Sequence, residues 1–130
     1  MAAAGALFIP LMLSACASKP VQVGRGDGVL AVHRFRRLTA DLPSSIRVPA
    51  VAAAADSALR DRGYSVTEIA VHDDRADLSA KPFDAAILES MSVSVREVAG
   101  GTRIAVIAQP LGDRSRSLAL LDAILDRLGY

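Results

Sequence analysis

Residues 91–109 alternate apolar and polar side chains on either side of a glycine pair, and this pattern restricts the chain to folds built on an antiparallel sheet. Met91, Val93 and Val95 fall on one side and Ser92, Ser94 and Arg96 on the other. After Gly100-Gly101 the alternation resumes, with Ile104, Val106 and Ala108 opposite Ala105 and Ile107. A period of two sends alternate side chains to opposite faces of a strand, and a glycine pair between two such runs reads as a hairpin turn. Met91–Val98 and Thr102–Gln109 are therefore expected to pair, and Pro110-Leu111-Gly112-Asp113 to end the second strand.

The remaining elements follow from the same two periods. Val29–Phe35 reads as a first strand, with Val29, Ala31, His33 and Phe35 on one face. Thr39–Ser45, which contains Pro43, reads as a turn. Pro49 suits the first turn of a helix running to about Arg62, because its missing N–H has no partner to lose there. Val51, Ala55, Ala58, Leu59 and Arg62 line one stripe of that helix, and Gly63 suits its left-handed end. Tyr64–Val71 and Arg75–Ala80 read as strands joined by His72-Asp73-Asp74. Pro82 breaks the run that follows, and Phe83 to Leu88 suits either a short helical turn or an extended lead-in. A last helix, Arg114–Leu128, carries Leu118, Leu121, Leu125 and Leu128 on a stripe widened by Ile124. Asp113 or Ser115 can cap its start and Gly129 its end.

The resulting order, β-α-β-β-β-β-α, predicts an α+β fold: a two-layer sandwich of mostly antiparallel sheet with two helices on one face. The 130 residues suit one domain, expected over residues 29–130. Aromatic residues make up 4% of the chain and there is no Trp, so Ala, Val, Leu and Ile must fill the core. Small side chains each bury little area, so modest stability is expected.

The first residues read differently. Ala2 to Ala17 is an almost unbroken apolar run. A signal peptide has an apolar core of about 7–15 residues, whereas a spanning helix needs about 20, and Pro10 disfavours a regular helix. The run closes in Leu13-Ser14-Ala15-Cys16, which resembles the lipobox of bacterial lipoproteins. The resemblance implies that residues 1–15 are a signal peptide cut between Ala15 and Cys16, and that the Cys16 thiol carries a diacylglyceryl group. A further acyl chain on the new amino terminus is also implied. Two or three chains anchor stably where one is marginal. In such proteins Asp after the cysteine favours inner-membrane retention, so Ala17 implies the outer membrane, facing the periplasm. No Lys or Arg precedes the run, which leaves the positive n-region to the Met1 amino group or to residues upstream. Residues 16–28, rich in Gly and polar side chains, read as a flexible tether.

From Ala54 onward the chain also resembles a group of small bacterial lipoproteins of unknown function. The matching pieces are the helix closing in Ala58-Leu59 and Gly63-Tyr64, the strand Thr102–Val106, Pro110-Leu111-Gly112-Asp113, Ser117, and the helix Leu121–Leu125 ending at Leu128-Gly129. This resemblance supports location and fold and implies no catalytic residues.

Candidate chemistry is sparse. With a single cysteine no internal disulfide forms, and the lipobox commits that cysteine to lipid. His33 and His72 are the only histidines and lack metal-ligand spacing, so no metal or other cofactor is expected. His72 beside Asp73, Asp74 and Asp77 would suit a minor hydrolase, although such turns are usually solvated. There is no G-x-S-x-G elbow and no P-loop. Gly112, Arg114 and Arg116 open the last helix, where free N–H groups and positive charge would suit an anion or glycan, with Asp113 competing for the same N–H groups. Arg25, Arg34, Arg36, Arg37 and Arg47 cluster near the tether, opposed only by Asp27 and Asp41. They would either touch anionic headgroups or form a solvated, aggregation-resistant edge. A net charge of +1 argues against nucleic acid as a partner. The expected partners are a bilayer, through acylated Cys16, and an envelope protein. The reading is a non-enzymatic envelope lipoprotein, with an anion- or glycan-binding module and a hydrolase as alternatives.

Overall fold

A computed structural model of the chain describes residues 19–25, 29–83, 89–110 and 112–130. The expected signal peptide and the lipobox-like tetrad, with Ala15 and Cys16, lie outside the described residues, as do 26–28 of the expected tether and 84–88 after Pro82. In chain order the elements are β1 (Val21–Val23), β2 (Val29–Arg34), β3 (Arg37–Pro43), α1 (Val48–Asp61), β4 (Tyr64–Val71), β5 (Arg75–Pro82), β6 (Ser90–Val98), β7 (Gly101–Gln109) and α2 (Arg114–Leu128). The strands form one sheet in the order β1-β2-β3-β7-β6-β5-β4, with every neighbouring pair antiparallel. Both helices cover the same face, α1 over β4, β5 and β6 and α2 over β7, β3 and β1, and they pack against each other. The fold is thus the expected α+β two-layer arrangement, and four strands run between the two helices as the sequence predicts.

Three differences lie at the front of the chain. Residues 37–43, expected largely as a turn, form β3, which pairs with both β2 and β7. Leu38, Ala40 and Leu42 all point into the core, and Pro43, at the strand's last position, ends it without cost to the ladder. Part of the expected tether, Val21–Val23, forms the edge strand β1 with Val23 buried, so the sheet begins before residue 29. The Gly24 N–H donates to Asp122 Oδ1 at 2.9 Å and Arg25 pairs with Asp126 at 2.6 Å, fastening this segment to α2. The first strand also stops at Arg34, which places Phe35 in a turn.

Core positions follow the two periods. Leu38, Leu78, Met91, Ile104 and Val106 rise from the sheet to meet Val51, Ala55 and Leu59 of α1 and Leu121, Ile124 and Leu125 of α2. Each buried Leu or Ile contributes roughly 1.5–3 kcal/mol, and the alanines of α1 let its backbone sit close to the strands. On α2 the buried stripe is Ser117, Leu120, Leu121, Ile124 and Leu125, with Leu118 and Leu128 at its margins. On α1, Arg62 is exposed at the C-cap, just past the helix. Gly101 must be glycine for a steric reason: a Cβ there would lie 2.1 Å from the Leu42 carbonyl oxygen on β3. The buried Thr102 hydroxyl donates to the Ile46 carbonyl at 2.6 Å and ties the approach to α1 onto β7.

Among the described residues no helix covers the opposite face of the sheet. Ser92, Ser94 and Arg96 on β6, Asp77 and Ser79 on β5, and Asp41 and Arg103 flanking them make it largely polar, as one-sided antiparallel sheets are. Arg103 pairs with Asp41 at 2.8 Å and Arg96 with Asp77 at 3.1 Å. The hydrogen bond and the charge of Asp41 raise the Arg103 pKa above its ordinary value.

Candidate functional site

The start of α2 is the sequence's first candidate, and the structure spends most of its groups internally. Asp113 is the N-cap: its side chain accepts from the Arg116 N–H at 3.1 Å. The Gly112 N–H donates to the Ala108 carbonyl at 2.6 Å. The Arg116 guanidinium donates to the Tyr64 hydroxyl, lies 5.7 Å from the centre of that ring, and faces Glu89 at 3.5 Å. The Tyr64 hydrogen bond raises the Arg116 pKa, with the Tyr64, Glu89 and Asp113 charges adding to it and partial burial opposing. Gly112, Arg114 and Arg116 therefore stand in different surroundings. Gly112 and Arg116 serve the packing, and only Arg114 stands exposed without an ion pair among the described residues. Sequence reasoning missed Tyr64 and Glu89 as partners of Arg116, because they lie on other elements.

The histidines are no closer to a reactive arrangement. His72 lies in the β4–β5 turn, where its N–H donates to the Arg75 carbonyl at 2.8 Å. Its ring makes no hydrogen bond or ion pair among the described residues, and Asp77 is engaged instead by Arg96 and Ser94. His33 sits near the end of β2 with Nε2 buried and without a hydrogen-bond partner among the described residues, and the same holds for the Ser117 hydroxyl on α2. Among the described residues no three His, Cys, Asp or Glu side chains gather as a metal site, and no helix is long and apolar enough to cross a membrane.

The five arginines near the tether are divided by the fold. Arg25 pairs with Asp126. Arg47 precedes α1, beside a cleft of about 460 Å³ whose wall also carries Asp73 and Glu97. Arg34, Arg36 and Arg37 stay together. β2 and β3 are joined by the two-residue turn Phe35-Arg36, with Arg34 opposite Arg37. All three arginines are exposed, and none pairs with a carboxylate among the described residues. Between them Phe35 is 93% exposed, more than any other large hydrophobic residue described. Its φ of 57° lies in the left-handed region. Behind the tip is an open hollow of about 550 Å³, bordered by Ile107 and Gln109. The tip is braced from the α2 side: Gly112 packs so closely that a Cβ would lie 2.6 Å from Arg36 Cα. The run Arg34-Phe35-Arg36-Arg37 was visible in the sequence as charge, but assigning Phe35 to the strand hid its exposure.

No protein-family model matches the chain, and no curated protein matches it in sequence. The resemblance to small bacterial lipoproteins accordingly rests on the motif residues themselves.

Proposed function

We propose that the chain is a bacterial envelope lipoprotein whose α+β domain is held at a membrane by acylated Cys16. The observation that carries this reading is the tetrad Leu13-Ser14-Ala15-Cys16 at the close of the apolar run. Small residues before the cysteine fit a peptidase cleft, and a thiol is the nucleophile that lipid transfer requires. Ala17 favours the outer membrane, with the domain facing the periplasm. The domain's role is interaction or support at that surface, with an envelope protein as partner, and not catalysis. That the Arg116 guanidinium is occupied by Tyr64 and Glu89 weighs against the anion- or glycan-binding alternative.

Radiolabelled palmitate fed to expressing cells should label the wild-type chain and not Cys16→Ser. Intact mass of the membrane-extracted protein should correspond to a chain beginning at an acylated residue 16. An unlabelled wild-type chain, or a mature terminus elsewhere, overturns the anchor. Sustained turnover of a small substrate by the purified protein overturns the non-enzymatic role.

A further inference from the structure

We infer that the Phe35 hairpin tip is the surface by which the domain docks onto an anionic phospholipid bilayer, with Phe35 entering the boundary between headgroups and acyl chains and Arg34, Arg36 and Arg37 holding lipid phosphates. This rests on the membrane attachment proposed at Cys16 and adds to it a definite orientation.

The first argument is where the chain leaves the sheet. β1 is antiparallel to β2 and Val21 lies opposite Ala31. Traced from Val23 back to Val21, β1 therefore runs the same way as β2 does towards Phe35. Phe35 is four residues past Ala31, about 13 Å along a strand. Cys16 is five residues before Val21, a reach of at most about 17 Å. β1 thus opens at the end of the sheet that carries the hairpin tip, and the chain length to Cys16 is short, so acyl chains inserted in a leaflet keep the tip within reach of the headgroups.

The second argument is chemical complementarity. An exposed aromatic ring among unpaired arginines combines an apolar body for the interface with cations for phosphate. Among the described residues the three arginines at the tip have no carboxylate partner; Arg47, Arg62, Arg75 and Arg114 have none either, but they lie apart in the chain, whereas the three at the tip flank one exposed ring. The third argument is the backbone. A positive φ at the first position of a two-residue hairpin turn ordinarily selects glycine, so the turn geometry does not call for phenylalanine. An aromatic residue held there against its preference, and left in water, points to a use outside the fold.

The chain contains no Trp, so Phe35→Trp places a single indole reporter at the tip. The full chain carrying this substitution would be reconstituted in vesicles of phosphatidylcholine, with or without phosphatidylglycerol. In anionic vesicles the indole emission should shift to the blue and be quenched by acyl-brominated lipid, and raised salt should reverse both. Adding Arg34→Ala, Arg36→Ala and Arg37→Ala should lower the ratio of docked to undocked tips about a hundredfold, at about fivefold per arginine. The salt series gives the same discrimination should the triple variant fail to fold. Water-like emission in anionic vesicles overturns the inference. So does a shift that follows protein density and ignores lipid charge, the outcome expected if a second copy covers the tip. The mass at residue 16 in the same preparation separates the two proposals. An unmodified Cys16 with a lipid-quenched indole sinks the anchor alone, and an acylated Cys16 with a water-exposed indole sinks the docking tip alone.

Discussion

Two hairpins of this sheet are closed by two-residue turns, and they treat their turn residues in opposite ways. Between β6 and β7 the turn is Ala99-Gly100, and the left-handed residue is Gly100, with φ of 84°. Gly101 follows where the backbone of β3 leaves no room for a side chain. Residue type and geometry agree at each position. Between β2 and β3 the left-handed residue is Phe35, whose ring reaches into solvent between arginines. For an L-residue with a Cβ that conformation costs roughly 1–2 kcal/mol. One turn is chosen by the fold, and the other is carried by it. A disagreement between local preference and local geometry is the kind of feature expected where a protein acts and not merely stands.

That contrast can be broken most severely from the glycine side. Ile104 is fully buried on β7 just past the turn. Ile104→Ala should lower unfolding stability by about 3 kcal/mol in a denaturant titration, through lost burial and the cavity left behind. Gly101→Ala is expected to cost about 2 kcal/mol, because the new methyl overlaps the Leu42 carbonyl and the β3–β7 pairing must shift. If Gly101→Ala proves neutral, the close approach of β3 to β7 at this point is wrong. Gly100→Ala should cost about 1 kcal/mol, measured the same way. A Cβ at Gly100 meets nothing within 4 Å, so that loss reports backbone conformation alone.

The same contrast explains how far the sequence could be read. β6, β7 and α2 were legible because period and punctuation agreed: strict alternation around Gly100-Gly101, then a 3.6-residue stripe between the Asp113 cap and Gly129. β3 was obscured by Asp41 and Pro43, which look like turn residues until Leu38, Ala40 and Leu42 are seen to share one buried face. β1 is too short to show any period, and its pairing with β2, the burial of Val23 and the ties of Gly24 and Arg25 to α2 give it shape. The surroundings of the candidate site were hidden for the same physical reason. Arg116 looked available because its partner Tyr64 is 52 positions away in the chain. The grouping of Arg34, Arg36 and Arg37, by contrast, was local and therefore visible. Their relation to the start of the chain was not, because it depends on the antiparallel register of β1.

The smallest expected effect is also the sharpest, because it reverses sign. Phe35→Gly should leave stability unchanged or raise it by up to about 1 kcal/mol. Relief of the left-handed strain works in its favour, and the greater freedom of glycine in the unfolded chain works against it. Little packing is lost, since the ring is almost wholly in water. Paired with Gly100→Ala, the substitution forms a mirror experiment: glycine removed from one left-handed turn position and supplied to the other, each read by the same unfolding titration. A loss of about 2 kcal/mol or more for Phe35→Gly would show that the ring packs on the domain in solution. The β2–β3 turn would then be an ordinary part of the fold, and the difference drawn between the two hairpins would vanish. A neutral or stabilising result leaves the ring without a role in holding the domain together, which is the condition for its serving a surface outside it.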